Sequence, residues 1–234
     1  MPQVYVKPKR GKPSQSTDLV WTALRGTRYG ELMAAQISDP LNMLADEGSY
    51  FTAMTATPGT GYNLTGATQT GFVATTPTLT IYNGEAAGTY KRYYLDMMRV
   101  CWTAAPTAAA SCHGCIVVDT GNRYSGSGTA LTVYNCNEDD TTTSNAVVYG
   151  GAITATSASS PRYLHRFTLS SAIPVIGETY SLAFGEQSIY TSANKGAVVG
   201  PVVIGPGQTA LVYLWLPSQS ATGQGEVNLN WWER

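Results

Sequence analysis

From Pro77 to Glu233 apolar residues alternate with threonine, serine and other polar residues in short runs, each ended by glycine, proline or acidic residues. A period of two residues predicts strands rather than helices. The runs lie near 78–83, 90–104, 115–119, 129–136, 146–154, 162–170, 179–184, 197–204, 209–217 and 225–233. Their close succession leaves no interval for a helix, and no internal repeat of about 20–50 residues marks a propeller or solenoid. The pattern therefore predicts an all-β antiparallel β-sandwich. Gly121 to Gly128, Asn137 to Asp140, Gly205-Pro206-Gly207 and Ser218 to Gly225 read as its turns.

Two runs break the simple rule that a sandwich strand has one wet face. In 90–104, Tyr93, Leu95, Met97, Arg99 and Cys101 oppose Tyr94, Asp96, Met98, Val100 and Trp102, so neither side is polar throughout. In 209–217, Leu211, Tyr213 and Trp215 oppose Val212, Leu214 and Leu216. An apolar outer face needs a cover, which the sequence assigns to an N-terminal strap or a neighbouring subunit.

The rest of the chain divides into an extended arm or strap over 1–30 and an irregular segment over 31–76, before the sandwich at 77–234. In the segment, Pro40 and Gly48 bracket one or two helical turns, and 55–78 reads as a long loop rich in threonine, glycine and proline. Residues 1–30 hold six Lys/Arg and one acid, a local charge of +5 on a chain whose net charge is -1. Lys7, Lys9, Arg10 and Lys12 fall among prolines that forbid a regular helix. The short, isolated run reads first as a solvated terminus or one ordered by a partner, and it also suits an acidic partner or nucleic acid. Charged residues make up only 12% of the chain, so contact between subunits explains the surface better than isolation in water does. The opening residues lack the apolar run of a secretory signal, and no run is long enough to span a membrane, so synthesis in the cytoplasm is expected.

Candidate chemistry is sparse. Cys101, Cys112, Cys115 and Cys136, with His113 between the middle pair, admit a zinc site, a disulfide or plain packed thiols. His113 and His165 stand in no catalytic motif. Glu138, Asp139 and Asp140 form either a calcium-binding or a solvated acidic turn. Asn63-Leu64-Thr65 matches a glycosylation triplet without other support for a secretory route. No catalytic, cofactor or metal residue is assigned, and the chain is expected not to be an enzyme.

The stretch Leu44-Ala45-Asp46-Glu47-Gly48-Ser49-Tyr50-Phe51, the loop Thr57-Pro58-Gly59-Thr60-Gly61, and the ending from Pro206 through Trp215-Leu216-Pro217 to Trp231-Trp232-Glu233-Arg234 resemble virion structural proteins of tailed bacteriophages. The resemblance implies a jelly-roll sandwich, a virion location and a capsid-associated decoration, cement or shell role. It also implies homo-oligomers, with trimers favoured, and other virion proteins as partners. The interface residues expected are Lys7, Lys9, Arg10, Lys12, Trp21, Tyr213, Trp215, Trp231 and Trp232. Trp231 and Trp232 are adjacent in a strand, so one should enter the core and the other face outward. A carbohydrate- or receptor-binding module of a tail or fibre is the alternative function.

Overall fold

A computed structural model describes residues 44–55, 57–64, 69–185 and 196–234. Among them the strands are β1 (Tyr50–Met54), β2 (Tyr62–Asn63), β3 (Leu79–Asn83), β4 (Tyr93–Ala104), β5 (Cys112–Thr120), β6 (Tyr124–Ala130), β7 (Thr132–Asn135), β8 (Ala146–Ala155), β9 (Arg162–Ser170), β10 (Thr179–Phe184), β11 (Gly196–Val199), β12 (Val202–Ile204), β13 (Gln208–Trp215) and β14 (Gln224–Glu233). They form two sheets. Sheet one runs β11-β10-β4-β14-β1-β7, with β12 also on β4 and β2 on β14, and sheet two runs β6-β8-β3-β13-β5-β9. Every strand pair is antiparallel except β10 with β11.

One hydrophobic core lies between the sheets. Sheet one supplies Phe51, Leu95, Met98, Val100, Trp102, Leu229 and Trp231, and sheet two supplies Leu79, Ile81, Ile116, Val212 and Leu214, all buried. Each large apolar side chain so buried contributes about 1.5–3 kcal/mol. The short segment before β1 forms a helical turn at residues 44–46, which ends at Gly48 in the left-handed region (φ 69°) that favours glycine.

The two runs with apolar faces on both sides resolve differently. In β4 the pairing with β14 slips, Asn230 opposing Met97 and Trp231 opposing Leu95, so Asp96 is bulged out of register. The bulge resets the alternation, and Tyr93, Leu95, Met98, Val100 and Trp102 all face the core. In β13 the alternation holds, and Leu211 and Tyr213 are buried on the outer face. Their cover includes the chain's own segment 69–76. The Tyr213 hydroxyl donates to the Ala74 carbonyl at 2.9 Å, and the Leu216 amide donates to Gln69 O at 3.2 Å.

Three other elements depart from the sequence pattern. Residues 50–54, within the segment read as irregular, are β1, which fills the place between β14 and β7. The run 129–136 breaks at buried Leu131, where the chain leaves sheet two as β6 and joins sheet one as β7. The run 197–204 breaks at Gly200-Pro201 into β11, beside β10, and β12, beside β4.

Candidate functional site

The outer face of sheet two carries the largest grouping of aromatic rings. Alternation in β13 directs Tyr213 and Trp215 outward, and the antiparallel register sets them beside Cys115 and His113 of β5. Tyr163 of β9 stands opposite Val117 on the same side. Phe72, from the covering segment, joins them, its ring centroid 4.8 Å from Tyr213, 5.9 Å from Tyr163 and 6.2 Å from Trp215. Tyr213 has almost no surface left, Trp215 is half-buried, and Phe72, Val73 and Tyr163 are exposed. Burial raises the Tyr213 phenol above its ordinary value, so it is a neutral donor at any physiological pH. Replacing Phe72 with alanine should lower stability by about 1–2 kcal/mol and alter Trp215 fluorescence, because three ring contacts go at once. An unchanged denaturation midpoint would show that the segment covers nothing of consequence.

His113 lies at the margin of this group. Its Nε2 is 2.7 Å from Ser111 Oγ and its Nδ1 is 3.3 Å from Thr168 Oγ1. A serine–histidine pair becomes a nucleophilic device when a carboxylate orients the ring. Here a threonine hydroxyl stands in that place. His165 is on β9, where its ring packs close to Gly200.

The cysteines divide by strand geometry. Cys112 and Cys115 are three residues apart in β5, so they point to opposite faces: Cys112 joins the core between the sheets and Cys115 the outer cluster. That pair is unsuited to sharing one metal ion. Burial pushes the Cys112 thiol up to about 12, which keeps it protonated. Cys101 is half-buried on β4 and Cys136 is exposed beyond β7, and all four are free thiols. Among the described residues no three His, Cys, Asp or Glu side chains are grouped closely enough to hold a metal ion. The acidic turn at Glu138, Asp139 and Asp140 is built by its own amides, with Asp139 N donating to Asn137 Oδ1 and Thr142 N to Asp140 Oδ1.

Neither a family model, nor a curated protein, nor a solved structure matches this chain.

The expected interface residues scatter. Lys7, Lys9, Arg10, Lys12 and Trp21 lie outside the described residues. Trp231 and Tyr213 are buried within the chain, Trp231 against Phe51 and Tyr93 at 6.1 and 6.5 Å. Trp232 points the other way, as strand alternation requires, and lies flat on Tyr94 at 3.8 Å on the outer face of sheet one. Trp215 and Trp232 thus retain surface, and they sit on opposite sheets. Sequence reasoning missed the connection from β9 to β10, where Ile173, Val175 and Ile176 are exposed. A run of large aliphatics beside Pro174 in a turn was its signal, since loops ordinarily carry polar residues there. Among the described residues no helix is long and apolar enough to cross a membrane.

Proposed function

We propose that this chain is a structural subunit of a virion, a capsid-associated decoration, cement or shell protein of jelly-roll type, which works by packing against copies of itself and other virion proteins and carries out no catalytic step. The exposed aliphatic group at Ile173, Val175 and Ile176 is the observation that carries this reading. Three large apolar side chains that keep 45–61% of their surface in water on one connection have that much left to contribute to an interface, where roughly 25 cal/mol per Å² of buried apolar area opposes the entropy of association. The low charge of the whole chain supports the same reading.

Light scattering and native mass measurement across a concentration series test it. The wild-type chain should form oligomers, whereas Ile173→Ser/Ile176→Ser should shift it toward monomer with little change in melting temperature. A wild-type chain that stays monomeric at high concentration, and ignores virion particles, removes the proposal.

A second reading, carbohydrate or receptor binding, draws on the exposed rings Phe72 and Tyr163 beside Trp215, with the hydroxyls of Ser111 and Thr168 close by. Rings stack on sugar faces and hydroxyls bond sugar oxygens. Glycan binding abolished by Trp215→Ala, in a chain that does not self-associate, would favour it over the first.

A further inference from the structure

The outer face of sheet two carries a cation without a counter-charge. The slip in pairing between Ile116 and Val117 resets the alternation of edge strand β9, so Tyr163, Arg166 and Thr168 share the outward side. Arg166 stands opposite Cys115, and Cys115 opposite Tyr213, which sets the guanidinium at the border of the aromatic group. Burial raises the Cys115 thiol and the Arg166 charge opposes that rise, so the two groups lie within electrostatic reach. Arg166 is exposed and makes no salt bridge among the described residues. The outward positions of β13, β5 and β9 hold one carboxylate, Asp119, and it is taken by Arg123 and three amides.

Three rings with surface to spare surround this cation: Phe72, Tyr163 and Trp215. The Ser111 and Thr168 hydroxyls, which flank His113, lie on the same side. Aromatic faces pack against the C–H faces of sugars, hydroxyls bond sugar oxygens, and a guanidinium offers paired donors that match a carboxylate. The ligand is therefore both ring-shaped and anionic. The number of cations separates the two polymers with those properties. A nucleic-acid strand brings a phosphate at every nucleotide and is held by several Lys/Arg, whereas one free guanidinium serves this group of rings. The rings also meet Phe72 edge to face, at 65° for Tyr163 and 78° for Trp215, and do not form a parallel series on which successive bases stack. A saccharide that carries a carboxylate needs one guanidinium among rings and hydroxyls, which is what the face supplies.

We propose that this face binds an acidic saccharide, its sugar rings against Phe72, Tyr163 and Trp215 and its carboxylate on Arg166. The proposal rests on the carbohydrate-binding reading and adds the chemical class of the ligand. A saccharide there leaves the Tyr94–Trp232 stack, on the outer face of sheet one, free for contacts between subunits.

Calorimetric titration of the full chain at low salt tests it. The acidic probes are a galacturonic acid tetramer and sialyllactose, and their neutral counterparts are the tetramer's methyl ester and lactose. At least one acidic probe should bind at least tenfold more tightly than its counterpart, and which one does so tells a uronic from a sialic acid. Arg166→Gln should remove that preference and leave neutral binding unchanged, whereas Trp215→Ala should weaken both members of the pair at least tenfold. Arg166 is exposed, so the thermal melt of Arg166→Gln should match wild type. Acidic and neutral probes that bind alike, or a preference that survives Arg166→Gln, overturn the acidic class and leave carbohydrate binding standing. Binding of none of the four overturns both. A thymidine dodecamer held more tightly than any saccharide, with an affinity that falls steeply with salt, assigns the face to single-stranded nucleic acid and likewise overturns the proposal.

Discussion

Trp231→Ala should lower the unfolding free energy by about 3–5 kcal/mol, the range for emptying a fully buried aromatic site. Trp231 has no exposed surface, packs on Phe51 and Tyr93, and donates its indole N–H to Glu233 at 3.0 Å, so its removal leaves a cavity and a carboxylate without that donor. In a domain of this size the melting temperature should fall by roughly 10 °C or more. The neighbouring Trp232→Ala should cost only about 1 kcal/mol, because it loses one flat stack on half-buried Tyr94 and opens no cavity. If the structural-subunit proposal holds, the second variant should instead weaken association. Calorimetry and ultracentrifugation on both variants separate the two effects. Equal loss of stability in each would mean that β14 does not hold the register described.

The second large effect centres on Asp119. Arg123 donates to its Oδ2 where loop residues leave both side chains almost no surface, and the Thr120, Ser159 and Ser160 amides donate to the same carboxylate at 2.8, 3.0 and 2.6 Å. Arg123 also bonds the Thr156 carbonyl, so one buried pair fastens the loop after β8 to the turn after β5. Asp119→Ala would leave the guanidinium buried without its counter-charge and should cost about 3–5 kcal/mol. Burial alone would raise the carboxyl, but the three amides and the guanidinium outweigh it and hold the group below the usual carboxylate range. The ionised form is therefore the stabilising one. Its contribution is complete above the unfolded value of about 3.9 and is lost as pH falls through the lower folded value. Urea midpoints from pH 6 to pH 2 should show this acid loss in the wild type and a shallower slope in Asp119→Asn. Parallel slopes would assign the acid sensitivity to other carboxylates.

Much of the fold was legible because alternation needs only the identity of each residue. Strand β14 and the opposite placement of its two tryptophans followed from a period of two. What escaped was every feature set by a neighbour in space. The Asp96 bulge cannot be read from β4 alone, since it exists only relative to β14. Residues 50–54 are short, and Ala53 gives a weak apolar signal, so β1 was hidden among threonines. Gly126 and Gly128 lie in β6, an edge strand with two irregularities, where a turn and a strand share one composition. The outer cluster was half legible: two-sided β13 declared that a cover was needed, but Phe72 emerged as part of it only once residues 69–76 were placed. The aliphatic connection at Ile173, Val175 and Ile176 is legible as a run of large apolar residues, but no strand period includes it.

The position of β14 governs the order of events during synthesis. This strand sits between β4 and β1, so Tyr50 waits for Trp232 before its side of sheet one can form. Sheet two needs nothing beyond β13. A growing chain can thus assemble that half first, while sheet one stays incomplete around Phe51, Leu95 and Trp102 until β14 emerges. Emergence of β14, rather than collapse of the earlier strands, should time the closing of sheet one, and chaperone capture should peak just before it.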